Sequence, residues 1–239
     1  MSFKPFINLP GKFSPNDGTI DFYLRVRSFL DKNKIVLDLG AGSGNWYNNT
    51  KDSKILKDIQ YIKKDVKKFY AADIDKAVLK NKSSHKNIII RNNKIPIKSK
   101  SIDIIISDWT FEHIEKTNLF YNEIDRVLKK NGILCFRTPH KYNYFSIINL
   151  LIEGTKFKDI LLKTSQPGRK EYFKSFYRLN TKNKIKKIFK NYEINYFLFK
   201  PDPAYFFGSK IIYKFLCFIH LIMPKFLVGI IFCFMKKKN

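Results

Sequence analysis

The residues of this chain that could do chemistry stand where apolar segments end. Asp38 lies near the end of one such segment, and Gly40, Gly42 and Gly44 follow it with the spacing G-x-G-x-G. Glycine has no Cβ, so a ligand can approach the backbone closely. The carboxyl end of a first strand is also where open α/β sheets bind ligands. A dinucleotide fingerprint would need its third glycine at Asn45, so the spacing disfavours nicotinamide chemistry.

A second apolar run, from Lys68 to Leu79, carries Asp73 at the end of its predicted strand. In an open α/β sheet a carboxylate at this place accepts hydrogen bonds from the hydroxyls of a ribose. Candidate acid–base residues follow two later strands: His113 after the fourth, and His140 and Tyr144 after the fifth. Each also has an interpretation without chemistry. His113 could cap or pack a helix, His140 could be a neutral substitution, and Tyr144 could pack within a lid over the site.

The elements that position these residues are predicted from the spacing of apolar side chains. Continuous apolar runs favour strands of a parallel sheet that is covered on both faces. The predicted strands are Ile35–Leu39, Lys68–Asp73, Asn87–Arg91, Ile102–Ser107, a fifth after Asn131-Gly132, and a late one at Tyr192–Phe199. Helical spacing predicts helices over Asp17–Leu30, around Ile55–Ile62, over Leu119–Lys129 with a cap at Asn131-Gly132, and from Thr181 to Phe189.

Four segments together resemble one family. They read VLDLGAGSGNW, KFYAADIDKAVL, IPIKSKSIDIIISDWTFEHI and EIDRVLKKNGILCFRTPH. They resemble the class I S-adenosylmethionine-dependent methyltransferases of the small-molecule, type 11-like group, and the resemblance continues from Pro15 to the basic carboxyl end. It implies a Rossmann-like, doubly wound α/β fold. The sheet would be mostly parallel and seven-stranded with an antiparallel final strand, and a helical or loop substrate cover would lie beside it.

The resemblance also implies roles for individual residues and S-adenosylmethionine as the cofactor. Asp38 would anchor the loop and the methionine amino end, and Asp73 would hold the ribose hydroxyls. Many relatives bind adenine through an acid after strand three, where this chain has Arg91, Asn92 and Asn93, so Asn92 is assigned by position alone. The implied cofactor set is Asp38, Gly40, Ala41, Gly42, Gly44, Asp73, Ile74, Asn92 and Ser107. Methyl transfer from a sulfonium needs no metal, and none is predicted.

The length fits one α/β domain with an elaboration, and the resemblance implies that this is a single methyltransferase domain. We divide the 239 residues into an N-terminal helix region (1–32), a cofactor-binding core (33–150) and a part with the substrate cover, late strands and apolar C-terminal segment (151–239). Lys and Arg number 46 against 20 acids, a net charge of +26. The excess is consistent with nucleic acid, an anionic membrane, an anionic substrate or an AT-rich coding bias. The cover is expected over Lys156–Lys174.

The three cysteines, Cys135, Cys217 and Cys233, lie in apolar runs without metal or disulfide spacing, which favours a reducing compartment. The amino end lacks the pattern of a signal peptide. We therefore expect a cytoplasmic protein, with peripheral contact at the inner face of the membrane as a further expectation.

The apolar stretch Ile211–Met235 allows three interpretations. A membrane-spanning helix is disfavoured because Pro224 and Lys225 interrupt it near its centre. A helix to Met223 followed by a final antiparallel strand over Phe226–Phe234 agrees with the family pattern and is our prediction. Peripheral contact of the helix with lipid through Lys210 and Lys214 is the third interpretation.

The predicted function is transfer of a methyl group from S-adenosylmethionine to a small-molecule or lipid-linked acceptor by in-line displacement. Proximity and orientation supply most of the acceleration in such reactions. The fourth strand ends in SDWT, without the Asn-Pro-Pro-aromatic type of motif used on exocyclic base amines. The alternatives are an RNA methyltransferase, which the charge favours, and a non-catalytic module that binds nucleic acid or a partner and retains the fold.

Overall fold

A computed structural model describes residues 3–14, 16–48, 53–155, 158, 173–203 and 206–238. In this part of the chain the strands are β1 (Ile35–Leu39), β2 (Lys68–Asp73), β3 (Lys86–Ile89), β4 (Ile102–Asp108), β5 (Leu128–Pro139), β6 (Tyr192–Phe199) and β7 (Ile230–Lys237). They form one seven-stranded sheet in the order β3-β2-β1-β4-β5-β7-β6. Strand β7 is antiparallel to both neighbours, and the other pairs are parallel. The predicted Rossmann-like sheet with an antiparallel last strand is confirmed.

Helices flank the sheet. They are α1 (Thr19–Arg27), α2 (Asn45–Asn48), α3 (Lys54–Gln60), α4 (Thr117–Val127), α5 (Tyr144–Leu151), α6 (Lys182–Ile188), α7 (Lys210–Ile222) and α8 (Lys225–Val228). Short 3₁₀ turns occur at Pro10–Lys12, Lys63–Asp65, Lys76–Lys80 and Phe111–His113. Three helices have side-chain caps that match their sequences, from Asn143 to α5, from Thr181 to α6 and from Ser209 to α7. Each cap satisfies a backbone N–H that has no partner within the helix.

The hydrophobic core lies on both faces of the sheet. Alternating residues of β7 point to opposite faces, so that Ile231 and Cys233 join the cluster beneath α4 and α6, while Phe232 joins the cluster beneath α1. This alternation follows from the two-residue period of a strand. Both faces of the central strands are buried, which explains why their sequences are nearly continuous apolar runs.

The predicted cap at Asn131-Gly132 is wrong. Helix α4 ends at Val127 and strand β5 begins at the next residue, Leu128, which pairs with Ile102. The ladder between β4 and β5 is then irregular, and regular pairing resumes when Ile133 pairs with Ile104. Asn131 has a left-handed backbone with φ of 59°. Asn tolerates this conformation, so the Asn-Gly pair forms an irregularity inside the strand rather than a helix cap.

The predicted helix followed by a strand is found in the C-terminal segment, with shifted bounds. Helix α7 ends at Ile222, Pro224 precedes the short helix α8, and β7 runs to Lys237. The predicted start of the strand at Phe226 is wrong because residues 225–228 are helical. None of the helices in the described ranges is long and apolar enough to cross a bilayer.

Most of the predicted substrate cover, Lys156–Lys174, lies outside the described residues. Of this segment the structure describes Lys158 and residues 173–174. Lys158 pairs with Glu153 at 2.6 Å, and the chain from Phe173 onward returns along the sheet edge beside Glu112.

We predict that Phe232→Ala lowers the free energy of unfolding by about 3–5 kcal/mol, the usual cost of removing a buried aromatic ring. Phe232 is fully buried, and its ring packs against the rings of Phe22, Phe197 and Phe199. Phe218→Ala is the matched control because the Phe218 side chain is 57% exposed. Urea unfolding followed by circular dichroism measures both, and equal losses in the two variants would contradict the central place given to β7.

Candidate functional site

The glycine loop turns sharply at the end of β1 and is fixed to the end of β2. The N–H groups of Gly40 and Ala41 both donate to the carbonyl oxygen of Ala72, at 2.8 and 3.1 Å. Gly40 has a φ of 82°, and a Cβ there would collide with the Thr110 side chain. A Cβ on Gly44 would collide with Asn81. Glycine is therefore needed at positions 40 and 44 because Thr110 and Asn81 of the same chain pack closely against the backbone there.

Gly42 is different, because it faces open space. A Cβ built on it would meet no atom within 4 Å, while its N–H donates to Asp73 Oδ2 at 2.8 Å. The side of the loop that adjoins Asp73 therefore has room for a ligand to lie against the backbone.

Asp73 is buried and oriented by two backbone donors, Gly42 N–H and Asp75 N–H at 2.8 and 3.0 Å. An ionised carboxylate can accept about four hydrogen bonds, so capacity remains for a diol. The next residue, Ile74, leaves 65% of its surface exposed. A large exposed apolar side chain beside a fixed carboxylate is suited to cover a flat aromatic ring such as a nucleobase.

The Asn81 side chain stabilises the glycine loop by hydrogen bonds to its backbone, a role that the sequence analysis did not predict. Its amide donates to the carbonyl oxygens of Gly42 and Ala41, at 3.2 and 3.4 Å. Its own oxygen accepts from Ser83 N–H at 2.9 Å. No local motif marks an asparagine that is 39 residues away from its hydrogen-bonding partner.

Asp38 is the most strongly perturbed acid of the described site. Burial, followed by the charges of Asp108 and Asp73, raises the pKa of Asp38 to about 8. Among the residues that the structure describes, none donates a hydrogen bond to this carboxylate. A partly desolvated carboxylate between two other acids favours a cationic ligand, which would remove the repulsion that raises its pKa. An ammonium group at this place fits the residues present.

Asn92 and Ser107 have structural roles that account for their residue types. Asn92 and Asn93 both have positive φ, 52° and 57°, in the tight turn closed by Lys94 N–H to Arg91 O at 2.8 Å. Ser107 is fully buried, and its hydroxyl donates to Leu39 O at 2.9 Å. Their predicted contacts with the cofactor stay predictions.

Asp108 forms a buried ion pair that connects three elements. Arg137 of β5 donates to both of its oxygens, at 2.5 and 2.9 Å, and Tyr23 of α1 donates to one of them at 3.2 Å. Arg137 also donates to Thr19 at 3.2 Å and lies 5.5 Å from the centre of the Trp109 ring. The ion pair fixes α1 against the carboxyl ends of β4 and β5 and supports Trp109 at the edge of the site.

A cavity of about 950 Å³ opens beside these strand ends. Its lining is mainly aromatic and aliphatic, and it comes from the N-terminal segment, the ends of β4 and β5, α5, α7 and the chain around Phe173. Polar side chains at its wall include Asp17, Glu112, His113, Tyr144 and His220. The structure therefore places an apolar chamber, with a few polar groups, at the carboxyl ends of β4 and β5, and the described lining includes neither the glycine loop nor Asp73.

Glu112 and His113 form the junction between β4 and the returning chain. Thr138 donates to Glu112 Oε2 at 2.8 Å, and Asn180 donates in turn to Thr138 at 2.7 Å. His113 Nδ1 lies 2.9 Å from Lys174 O. A carbonyl oxygen only accepts, so Nδ1 carries the proton in this contact. His113, predicted as a catalytic candidate, lines the cavity.

His140 and Tyr144, the other two catalytic candidates, are placed differently. His140 does not line the cavity; its Nδ1 accepts from Tyr142 N–H at 3.3 Å and its ring also bonds to the backbone of Phe226. Burial lowers the pKa of His140. These contacts favour a packing role for His140. Tyr144 lines the cavity, and its ring centre lies 5.7 Å from that of His220.

His220 is a candidate that sequence reasoning missed, since it was considered only as an interruption of the apolar stretch. Its Nδ1 lies 3.1 Å from Pro201 O, so Nδ1 carries the proton and Nε2 holds a lone pair. Nε2 is buried without a hydrogen-bond partner in the described structure. Burial also lowers the pKa of His220, which keeps the ring neutral near pH 7. Buried polar atoms without partners are rare and often functional.

The fold and part of the sequence resemble known methyltransferases. A family model described as a methyltransferase domain matches residues 37–136, the stretch from β1 into β5. No match was found among curated proteins. Many solved structures share the fold.

One is the putative methyltransferase complexed with the Trm112 methyltransferase activator of Haloferax volcanii, with 12% identity, a TM-score of 0.62 and coverage of 93% of this chain and 91% of that one. A second is an S-adenosylmethionine-dependent methyltransferase from Methanosarcina mazei, with 13% identity, a TM-score of 0.56 and coverage of 90% and 97%. A third is a putative enzyme of the same kind from Listeria monocytogenes, with 16% identity, a TM-score of 0.52 and coverage of 91% and 98%.

At these identities the solved structures show the shared fold, and the family model adds the match of the segment that carries the glycine loop and Asp73. S-Adenosylmethionine is the expected cofactor. Together, the family match over residues 37–136, the sheet order and the structural neighbours support the resemblance predicted from the sequence, which is to the class I S-adenosylmethionine-dependent methyltransferases.

Proposed function

We propose that the protein transfers a methyl group from S-adenosylmethionine to an amphiphilic acceptor, either a small molecule or a lipid-linked one, whose apolar part lies in the cavity. The observation that carries this proposal is the mainly apolar chamber of about 950 Å³ at the carboxyl ends of β4 and β5. Its size and lining are those of a pocket for a largely buried ligand held by a few polar groups.

The charges at the cavity wall favour an apolar acceptor over RNA. Among the described lining residues the one lysine is Lys158, and it is paired with Glu153 at 2.6 Å. Asp17, Glu112 and Asp202 also contribute to the wall. RNA binding depends on contacts between cations and phosphates, and a wall with these acids and aromatic rings lacks such contacts.

The chain's own residues would hold the cofactor through complementary charge and hydrogen bonds. Asp38 offers a carboxylate to the methionine ammonium, and Asp73 offers free acceptor capacity to the ribose hydroxyls. Gly42 leaves room against the backbone, and Ile74 covers the adenine. When bound, S-adenosylmethionine would supply an electrophilic methyl group on a cationic sulfur. An acceptor heteroatom would bond to the methyl carbon in line with the carbon–sulfur bond, which breaks and leaves S-adenosylhomocysteine. The protein's main contribution is alignment, which supplies roughly 7–11 kcal/mol in well-oriented reactions.

An acceptor hydroxyl must lose its proton as the new bond forms, so a base is needed in that case. We assign this role to His220, whose Nε2 holds an uncompensated lone pair in the wall, with Tyr144 beside it. His113 is the second candidate, because it lines the same cavity and follows β4 directly.

The proposal is tested by labelling. The purified protein is incubated with methyl-labelled S-adenosylmethionine and separate cell fractions: organic-soluble lipids, RNA and aqueous metabolites. We expect label in the organic-soluble fraction or in an amphiphilic member of the aqueous one. Asp73→Ala, which removes the proposed ribose contact, should abolish labelling, whereas Asp21→Ala in an exposed ion pair should not. Label confined to RNA would overturn the proposal.

We predict that cofactor affinity rises with pH between pH 6 and about 8. In the cofactor-free protein the raised pKa keeps Asp38 largely protonated below pH 8, and an ammonium ligand binds the ionised form. Binding therefore releases a proton, and affinity gains up to about tenfold per pH unit in this window. Calorimetry with S-adenosylhomocysteine at several pH values measures the slope.

Asp38→Asn is the matched variant for this measurement. It should bind more weakly and show a flat pH profile, without loss of thermal stability at pH 8, because ionised Asp38 destabilises the cofactor-free fold. An unchanged slope in Asp38→Asn would assign the pH dependence to another group.

We predict that His220→Phe lowers kcat by roughly 10²–10⁴-fold, the usual contribution of a general base. Burial lowers the pKa of His220 below the ordinary histidine value, so wild-type activity should persist at that ordinary pKa and be lost only at lower pH, where the ring becomes protonated. This acidic limb should disappear in His220→Phe while cofactor affinity is kept. If the variant retains the limb, or loses only thermal stability, His220 is a packing residue.

A further inference from the structure

We propose that the outward face of α7 docks on a lipid bilayer that contains anionic lipids, so that the cavity takes its acceptor from the membrane. The docking part of this inference stands on the geometry of α7 alone. The part about the acceptor rests on the proposed function.

Helix α7 presents a continuous apolar face to solvent. Exposed apolar residues recur along the helix at intervals of three and four residues, which places them on one side of it. Three of them, Ile211, Phe218 and Leu221, are 82%, 57% and 78% exposed. We define the α7 face as Ile211, Phe215, Phe218, Leu221, Ile222 and the following Phe226, all of which are exposed. Contiguous apolar patches of this kind mark interaction sites.

The charges around the α7 face match an anionic surface. Lys210, Lys214 and Lys225 border it and are exposed, and the sequence from residue 203 to the end contains six lysines and no acid. The nearest acid before α7, Asp202, accepts a hydrogen bond from Ser14. Exposed Phe, Leu and Ile flanked by lysines are typical of helices that lie in the headgroup region of anionic bilayers.

The α7 face is continuous with the mouth of the cavity. Phe215 and Ile212 are exposed and also line the cavity. Ile148, Phe173 and Phe207, which come from other segments, share both properties. These five side chains form an apolar rim. A bilayer that contacts the α7 face would lie against this rim, so an amphiphilic acceptor could enter without crossing water.

The length of α7 fits docking in the plane of the surface. It has 13 residues, which corresponds to about 20 Å at 1.5 Å per residue. A helix needs about 20 apolar residues to cross a bilayer. The inner side of α7 forms part of the cavity wall through Tyr213, Leu216 and His220. The helix therefore has one side for the protein and one for the membrane.

The test is vesicle co-sedimentation of the full chain with phosphatidylcholine vesicles, with and without phosphatidylserine. We expect binding that needs phosphatidylserine and weakens at high salt. Phe218→Ser/Leu221→Ser should reduce binding at least tenfold, and Lys210→Gln/Lys214→Gln should remove most of the dependence on phosphatidylserine. Neither pair lines the cavity.

Matched controls separate the face from general surface properties. Leu24→Ser/Leu119→Ser changes two exposed leucines on α1 and α4, and Lys184→Gln/Lys187→Gln removes two exposed lysines on α6. Both control pairs should bind vesicles like the wild type. All variants should retain binding of S-adenosylhomocysteine, which confirms folding independently of any acceptor.

Three results would overturn the proposal. The first is that the wild type does not bind vesicles. The second is that the α7 variants and their controls bind vesicles equally. The third is that vesicle binding is absent and Phe218→Ser/Leu221→Ser instead dissociates a dimer or a protein complex. Methyl transfer to a detergent-dispersed acceptor is measured separately in the same variants. Vesicle binding without any methyl transfer would contradict the proposed function and leave docking supported.

Discussion

The hydrogen-bond ladder of β7 is the interaction on which the two sides of the molecule depend. This strand pairs with β5 along Ile133–Pro139 and with β6 along its whole length, so its backbone groups are satisfied on both edges. The same strand determines the walls of the cavity. Asn143, at the start of α5, donates to the carbonyl oxygen of Gly229 at 2.8 Å, and Gly229 joins α8 to β7. The start of α5 is thus hydrogen-bonded to the point at which α8 passes into β7.

Repulsion between carboxylates determines the electrostatics at the strand ends beside the glycine loop. Asp38, Asp73 and Asp108 stand near the carboxyl ends of three adjacent strands. Arg137 neutralises Asp108, and backbone N–H groups orient Asp73. Asp38 retains the electrostatic penalty, as its raised pKa indicates. A cation that binds at this place relieves repulsion which the fold has already imposed, and such relief favours recognition of a charged amine over a neutral group.

Local sequence patterns predicted the strands around the glycine loop better than the side-chain network at the cavity, for a physical reason. A strand that ends in a glycine loop or an acid is visible within about ten residues, so β1, β2, β4 and the position of Asp73 could be placed in advance. Asn81, the Glu112–Thr138–Asn180 network and His220 act through partners that are distant in sequence. The Asn131-Gly132 pair was misassigned because left-handed residues serve both helix caps and strand irregularities.

The connection between α5 and α6 is anchored at both ends. On one side Lys158 pairs with Glu153. On the other, the N–H groups of Phe176 and Tyr177 donate to the carbonyl oxygen of Glu112 at 2.7 and 3.0 Å, and Asn180 donates to Pro139 O at 2.8 Å. For a chain closed between fixed points, doubling the loop length adds only about 0.6 kcal/mol of entropy cost. The length of that connection can therefore change at a small cost in closure entropy, while the sheet and the ends of its strands stay unchanged.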